Sequence, residues 1–247
     1  QPGSDEISRA YEESWIGQNG YLKRDGSHQK YALAFQGLVT TAKGSPIAEV
    51  FVLDLPEDLT QTGDDGPLEG TSTTMPRPPK GVIQRRLTFT DNRKYPGIQG
   101  PRHWLRSSHD GSMIAFLRRD DLGIVQLFTI DPNGGYPKQR SFNAHDVTSA
   151  FSWHHYNKHI AHIMDGSVCV TNIETGVTQR ITPKCEGISA PRPEACVFSP
   201  TGRHIAYVGD LDGDFASEIA ISVPGSSRVD LYRRNGILLR SLAMGTG

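Results

Sequence analysis

The chain has 247 residues, 36% of them hydrophobic and 21% charged, the composition of a globular protein able to bury one sizeable core. Lys plus Arg (26) and Asp plus Glu (27) nearly cancel, so no broad field of one sign draws in a polyanion, and nucleic acid is not an expected partner. No apolar run reaches the ~20 residues that cross a bilayer, and 26 Gly with 16 Pro argue for many short strands joined by tight turns.

Gln1 to Asp5 carries neither the basic nor the apolar stretch of a secretory leader. That leaves cytoplasmic residence, a removed leader, or a start inside a longer product, and the repeats described below favour the last. Ser4 to Trp15, polar at its start and acidic ahead of Trp15 and Ile16, reads as a short helix. Tyr31 to Phe35, Ala48 to Leu55 and Val82 to Phe89 read as strands, and Glu57 to Lys80, crowded with Gly, Pro, Thr and Asp, as a long inserted loop.

From Leu105 onward the chain repeats itself. Leu105–Leu117 aligns without gaps on Cys196–Val208, and Phe151–Ile163 fits the same frame. The shared core is a polar turn ending in Gly111, Asn157 or Gly202, followed by Ile-Ala, an aromatic or His, and an aliphatic residue. Ala115, Ala161 and Ala206 anchor it at separations of 46 and 45 residues. A second strand-forming run follows each time (124–130, 167–173, 218–223), then a turn in the first two units (131–135 and 174–176) and a short outer strand (138–142 and 178–182).

Four strands at a period in the mid-forties is the pattern of a propeller blade. The expected fold is an all-β propeller with about four blades of four antiparallel strands, at 28–90 (with the 57–80 insertion), 97–143, 147–183 and 193–232. Residues 1–247 form one domain in this reading. Arg228–Tyr232 and Ile237–Leu242 have strand composition outside the motif. Since propellers close with ~4–8 blades, an incomplete or open ring is expected.

Phe198 to Tyr207 resembles a PD40 repeat, the motif of TolB-like propellers. Longer strings, among them Glu49–Pro56, Arg85–Thr90, Gly100–Arg106 and Ala190–Pro200, resemble the uncharacterised bacterial DUF3748 family. Its members carry PD40 repeats and are often labelled Tol-type biopolymer transporters. The resemblance implies a TolB-like propeller lacking its N-terminal blades and a periplasmic location; it implies no established activity. His154-His155-Tyr156-Asn157 departs from the family's usual Ser-Pro-Asp-Gly turn.

Four histidines, His154, His155, His159 and His162, fall within nine residues. In the repeat frame His159 replaces Met113 and His204, and His162 replaces Phe116 and Tyr207. They are expected to be structural, and no metal or other cofactor is expected. Asp210–Asp214 lacks the spacing and distal Glu of a calcium loop. Cys169, Cys185 and Cys196 have neither CxxC spacing nor an even count; Cys169 and Cys196 read as small buried residues.

The better site candidates are Arg102 with His103, and Arg192 with Glu194. Both pairs precede the repeat motif, where the innermost strand of a blade begins beside the central channel. Arginine there suits bidentate capture of a carboxylate or phosphate. No Gly-rich phosphate loop, HExxH, GxSxG or catalytic Cys/His pair is present. The expected function is a non-enzymatic scaffold binding a protein or an oligosaccharide or other polymer at the channel mouth. The alternatives are a carbohydrate-active enzyme similar to oligogalacturonate lyases and a truncated product without function alone.

Overall fold

Runs of β-branched and aromatic residues, bounded by turn-forming Gly, Asn and Asp, become antiparallel strands throughout the chain. The computed structural model describes residues 1–99, 104–194, 196–210, 218–222, 228–232 and 238–243. Among them the single helical turn is a 3-10 segment at Gly187–Ser189.

The first sheet has the order β1 (Ile7–Trp15), β4 (Tyr31–Thr40), β5 (Pro46–Leu55), β6 (Ile83–Arg86), with β2 (Tyr21–Leu22) and β3 (His28–Gln29) paired as a separate hairpin. The second is β7 (Leu105–Ser107), β8 (Ile114–Arg119), β9 (Val125–Ile130), β10 (Lys138–Gln139), and the third β11 (Ser152–Trp153), β12 (His159–Met164), β13 (Ser167–Asn172), β14 (Thr178–Arg180). The fourth runs β15 (Cys196–Phe198), β16 (Ile205–Gly209), β17 (Glu218–Ser222), β18 (Arg228–Tyr232), β19 (Leu238–Ala243). It has five strands, one more than the repeat predicts. Among the described residues no sheet closes into a ring. Residues 57–80 form no strand, only the isolated bridges Thr62–Pro79 and Gly63–Gly66.

The N-terminal segment corrects the sequence reading. Ser4–Trp15 is not a helix: Ile7–Trp15 is β1, paired with β4 from Ile7–Val39 to Trp15–Leu33. A helix of this length is marginal in water, and the ten-residue β4 offers a full hydrogen-bonding edge instead. The register slips between Tyr11 and Ser14, where Glu12 takes a φ of 46° and makes a bulge.

The repeat frame holds atom by atom. Gly111, Asn157 and Gly202 close equivalent turns at φ of 73°, 58° and 69°. In each, a first residue donates its N–H across the turn: Ser108 to Met113, His154 to His159 and Ser199 to His204, at 2.8–2.9 Å. Ala115, Ala161 and Ala206 all lie on the second strand of their sheets, as does Ala34 in β4.

A second repeated device joins the outer strand to the third. Val50, Leu127 and Val168 donate their N–H to the hydroxyls of Thr88 (2.8 Å), Ser141 (2.9 Å) and Thr182 (3.0 Å). Their carbonyls accept from Leu87, Arg140 and Ile181 at 2.8, 2.7 and 2.8 Å. This Ser/Thr clasp pins the short β6, β10 and β14.

The chain divides into two compact units, residues 1–97 with 107–114 and 130–137, and residues 98–106 with 115–129 and 138–247. In the first unit Phe35, Val39, Ile47 and Phe51 form a buried cluster, with the Phe35 and Phe51 rings stacked at 5.6 Å. In the second, Ala161, Ile163 and Val168 pack against Cys196, Ile205 and Tyr207, so the third and fourth sheets meet through their aliphatic faces. No helix among the described residues is long and apolar enough to cross a membrane.

Candidate functional site

In the second unit, three equivalent segments run into the first strand of a sheet. Gln99, Thr148 and Arg192 donate their backbone N–H to Leu117 (2.9 Å), Ile163 (2.9 Å) and Val208 (2.7 Å), the same position of successive repeats. Each lead-in segment is therefore held by its own second strand, just ahead of the innermost one. Ala150 N–H also donates to the Pro193 carbonyl at 3.1 Å, tying the lead-in of the fourth sheet to that of the third.

Two tryptophans lock the same region. The Trp104 indole N–H donates to the Phe151 carbonyl (2.7 Å) and that of Trp153 to the Arg106 carbonyl (3.0 Å). The Arg106 guanidinium lies 3.6 Å from the centroid of the Trp104 ring. The backbone at Arg106 and Phe151, at the starts of the second and third sheets, is thus held by indole donors.

Of the four candidates, Arg192 and Glu194 are exposed on the lead-in to β15, and among the described residues neither side chain has a hydrogen bond or ion pair. Arg102 and His103 lie outside the described residues. Most of the Asp210–Asp214 turn lies outside them as well.

The histidines occupy the repeat positions assigned to them. His162 is buried on β12 and shares a 2.8 Å hydrogen bond with the Thr171 hydroxyl. Burial holds its imidazole down at a pKa of about 4, with a weaker opposing effect from the Ile163 backbone, so it is neutral at physiological pH. The His154 ring stacks on His155 (4.3 Å between centroids) and meets Phe198 edge-on at 5.0 Å. Among the described residues no group of three or more His, Cys, Asp or Glu converges as a metal site. Cys169 and Cys196 are buried, and burial raises both thiols, that of Cys169 to about 11.

Sequence reading missed one polar cluster. Asp54, buried on β5, accepts from the Tyr21 hydroxyl at 2.8 Å and faces Arg85 Nη2 at 3.3 Å and Lys23 Nζ at 4.0 Å. Arg85 Nη2 also donates to the Tyr21 oxygen at 2.6 Å. Burial, then the bond to Asp54, pushes the Tyr21 hydroxyl pKa upward. Its members come from β2 and the turn just after it, β5 and β6, and its one local signal is the Arg85-Arg86 pair in a strand whose neighbours face opposite sides.

Compared with known proteins, the chain superposes on TolB from Acinetobacter baumannii with a TM-score of 0.54, 19% identity, and coverage of 95% of this chain and 45% of that one. Its fold is that of a TolB-like β-propeller. At that identity the likeness concerns the fold alone. A putative TolB from Agrobacterium tumefaciens aligns with a TM-score of 0.49 and 15% identity over 97% of this chain and 83% of that chain. No family model matches. Among curated proteins, the uncharacterised protein YidR of Escherichia coli K12 is 43% identical over 211 residues, 84% of this chain and 48% of YidR. The propeller described here thus spans about half the length of the curated relative it matches.

Proposed function

We propose that this chain is a non-enzymatic propeller scaffold that binds a protein or polymer ligand beside the channel, through Arg192 and Glu194 and, from the second blade, Arg102 and His103. The observation that carries the reading is the state of Arg192. It is exposed, carries no ion pair among the described residues, and stands on a backbone tied to Val208 and, through Pro193, to Ala150. An arginine bracing two blades would be spent on a neighbouring carboxylate; an unspent guanidinium on a rigid mount is what ligand capture uses. Kinship with the DUF3748 family belongs to the same proposal, supported by the strings shared in the first, second and fourth blades and by the 43% identity to YidR.

A photo-crosslinker at the adjacent exposed position 193, compared with one at the exposed Lys43, tests the protein arm in cells expressing the chain, and titration with polygalacturonate tests the polymer arm. A specific adduct or saturable binding that is lost in Arg192→Ala at unchanged melting temperature is the expected result. Equal adducts at both positions with no polymer binding, or a fall in melting temperature matching the loss, would refute it.

A further inference from the structure

The first unit contains a second candidate, independent of the channel side. A groove of about 450 Å³ runs along the outer strand of the first sheet, between β6 and the turn at Asn133–Gly135, and Asp5 and Phe89 also line it. That volume lies within the range of small-molecule sites, ~300–1,000 Å³.

Its hydrogen-bonding capacity is unbalanced. Arg85 spends Nη1 on the Pro132 carbonyl (2.9 Å) and Nη2 on Tyr21 and Asp54, but its Nε donates to nothing among the described residues. The exposed Gln84 amide and the Gly135 backbone N–H are likewise without partners among the described residues. The one lining carboxylate, Asp5, already accepts from Arg86 Nη1 at 3.2 Å. Donors are therefore in surplus, and a ligand that satisfies them must be rich in acceptors.

The rim supplies the other half of the recognition. Phe89 is 65% exposed, unusual for a large aromatic, and the Arg86 guanidinium sits 4.6 Å from its centroid. That guanidinium is itself fixed by the buried Glu49 at 3.1 Å and the Thr88 carbonyl at 2.8 Å, so the ring and its cation form a prepared platform. Gly135 holds a φ of 125°, open only to glycine, which brings bare backbone to the wall.

We propose that this groove binds a small anion, a carboxylate or phosphate group on a body with an apolar face. The charged group meets Arg85, Gln84 and the Gly135 N–H, and the body lies against Phe89. Isothermal titration of the full chain with phenyl phosphate and with benzoate tests it and tells phosphate from carboxylate. At least one should saturate and bind about ten-fold more tightly than phenol or inorganic phosphate, the effect of a charge-assisted hydrogen bond or of a buried ring. Gln84→Ala and Phe89→Ala change exposed side chains and should each weaken binding several-fold at unchanged melting temperature, whereas Arg192→Ala should leave it intact. Phenol binding as tightly as the anions, no saturation with either anion, or unchanged affinity in both groove variants would overturn the proposal.

Discussion

The Ser/Thr clasp of the first sheet contains a buried ion pair, and its energetic weight can be read by transplanting the neutral version found one blade later. Glu49 is fully buried; its carboxylate faces Arg86 Nη2 at 3.1 Å and accepts from the Thr90 N–H (2.7 Å), the Thr90 hydroxyl (2.8 Å) and the Thr88 hydroxyl. At the equivalent place in the second sheet stands Gln126, whose Oε1 accepts from the Ser141 hydroxyl (2.7 Å) and the Asn143 N–H (3.1 Å). Where Arg86 Nε donates to the Thr88 carbonyl at 2.8 Å, Gln139 Nε2 donates to the Ser141 carbonyl at 2.8 Å. Arg86→Gln alone strands a buried carboxylate and should cost about 3–5 kcal/mol. Glu49→Gln alone replaces charge-assisted bonds and should cost about 1–3 kcal/mol. The double variant, with no buried charge left, should recover at least ~2 kcal/mol of the summed loss. Urea unfolding of the four proteins measures this coupling directly. If the two losses add to within ~0.5 kcal/mol, the side chains do not act as a pair and the clasp argument fails.

Stability should fall on acidification because of His162: its folded-state pKa of about 4 lies below the unfolded 6.5, so between those values the unfolded chain binds the extra proton. The stability present above pH 6.5 is lost progressively down to pH 4, roughly 3 kcal/mol in all, and His162→Phe, which copies Phe116, should flatten that part of a stability–pH curve. Asn157 holds a left-handed φ of 58°, so Asn157→Ala should cost about 1 kcal/mol while Asn157→Gly costs nothing or stabilises slightly, as thermal melts would show. Tyr21→Phe removes the 2.8 Å bond to buried Asp54 and should cost about 1–3 kcal/mol; an unchanged unfolding midpoint would mean that Arg85 alone satisfies the carboxylate.

The features legible in the sequence are those whose cause is local and repeated. Ala115, Ala161 and Ala206 recur because each stands at the same place on the second strand of its sheet, and Asn157 was readable in a glycine slot because Asn tolerates the left-handed region better than most residues. The clasp escaped notice although Thr88, Ser141 and Thr182 also recur. Their partners sit on another strand, and the residue preceding each donor varies from Glu49 to Gln126 to Ser167. The β1 strand was misread because its pairing with β4 is made across a separation of up to about thirty residues, which no local propensity reports. Tyr21, Asp54 and Arg85 form a cluster only through folding, so neither spacing nor type marks them in advance.

Repetition also separates scaffold from site. Gln99, Thr148 and Arg192 share one backbone hydrogen bond, to Leu117, Ile163 and Val208, yet the three side chains differ in size and charge. A position whose backbone role is fixed by the fold, and whose side chain is not needed by it, is free to specialise. The alanines one strand away show the opposite case, since Ala115 and Ala161 have no exposed surface and admit nothing larger. Variation between blades at a held backbone is the feature on which the proposed site rests in the lead-in segments, where Arg192 on one blade and Thr148 on the previous one make the same backbone bond.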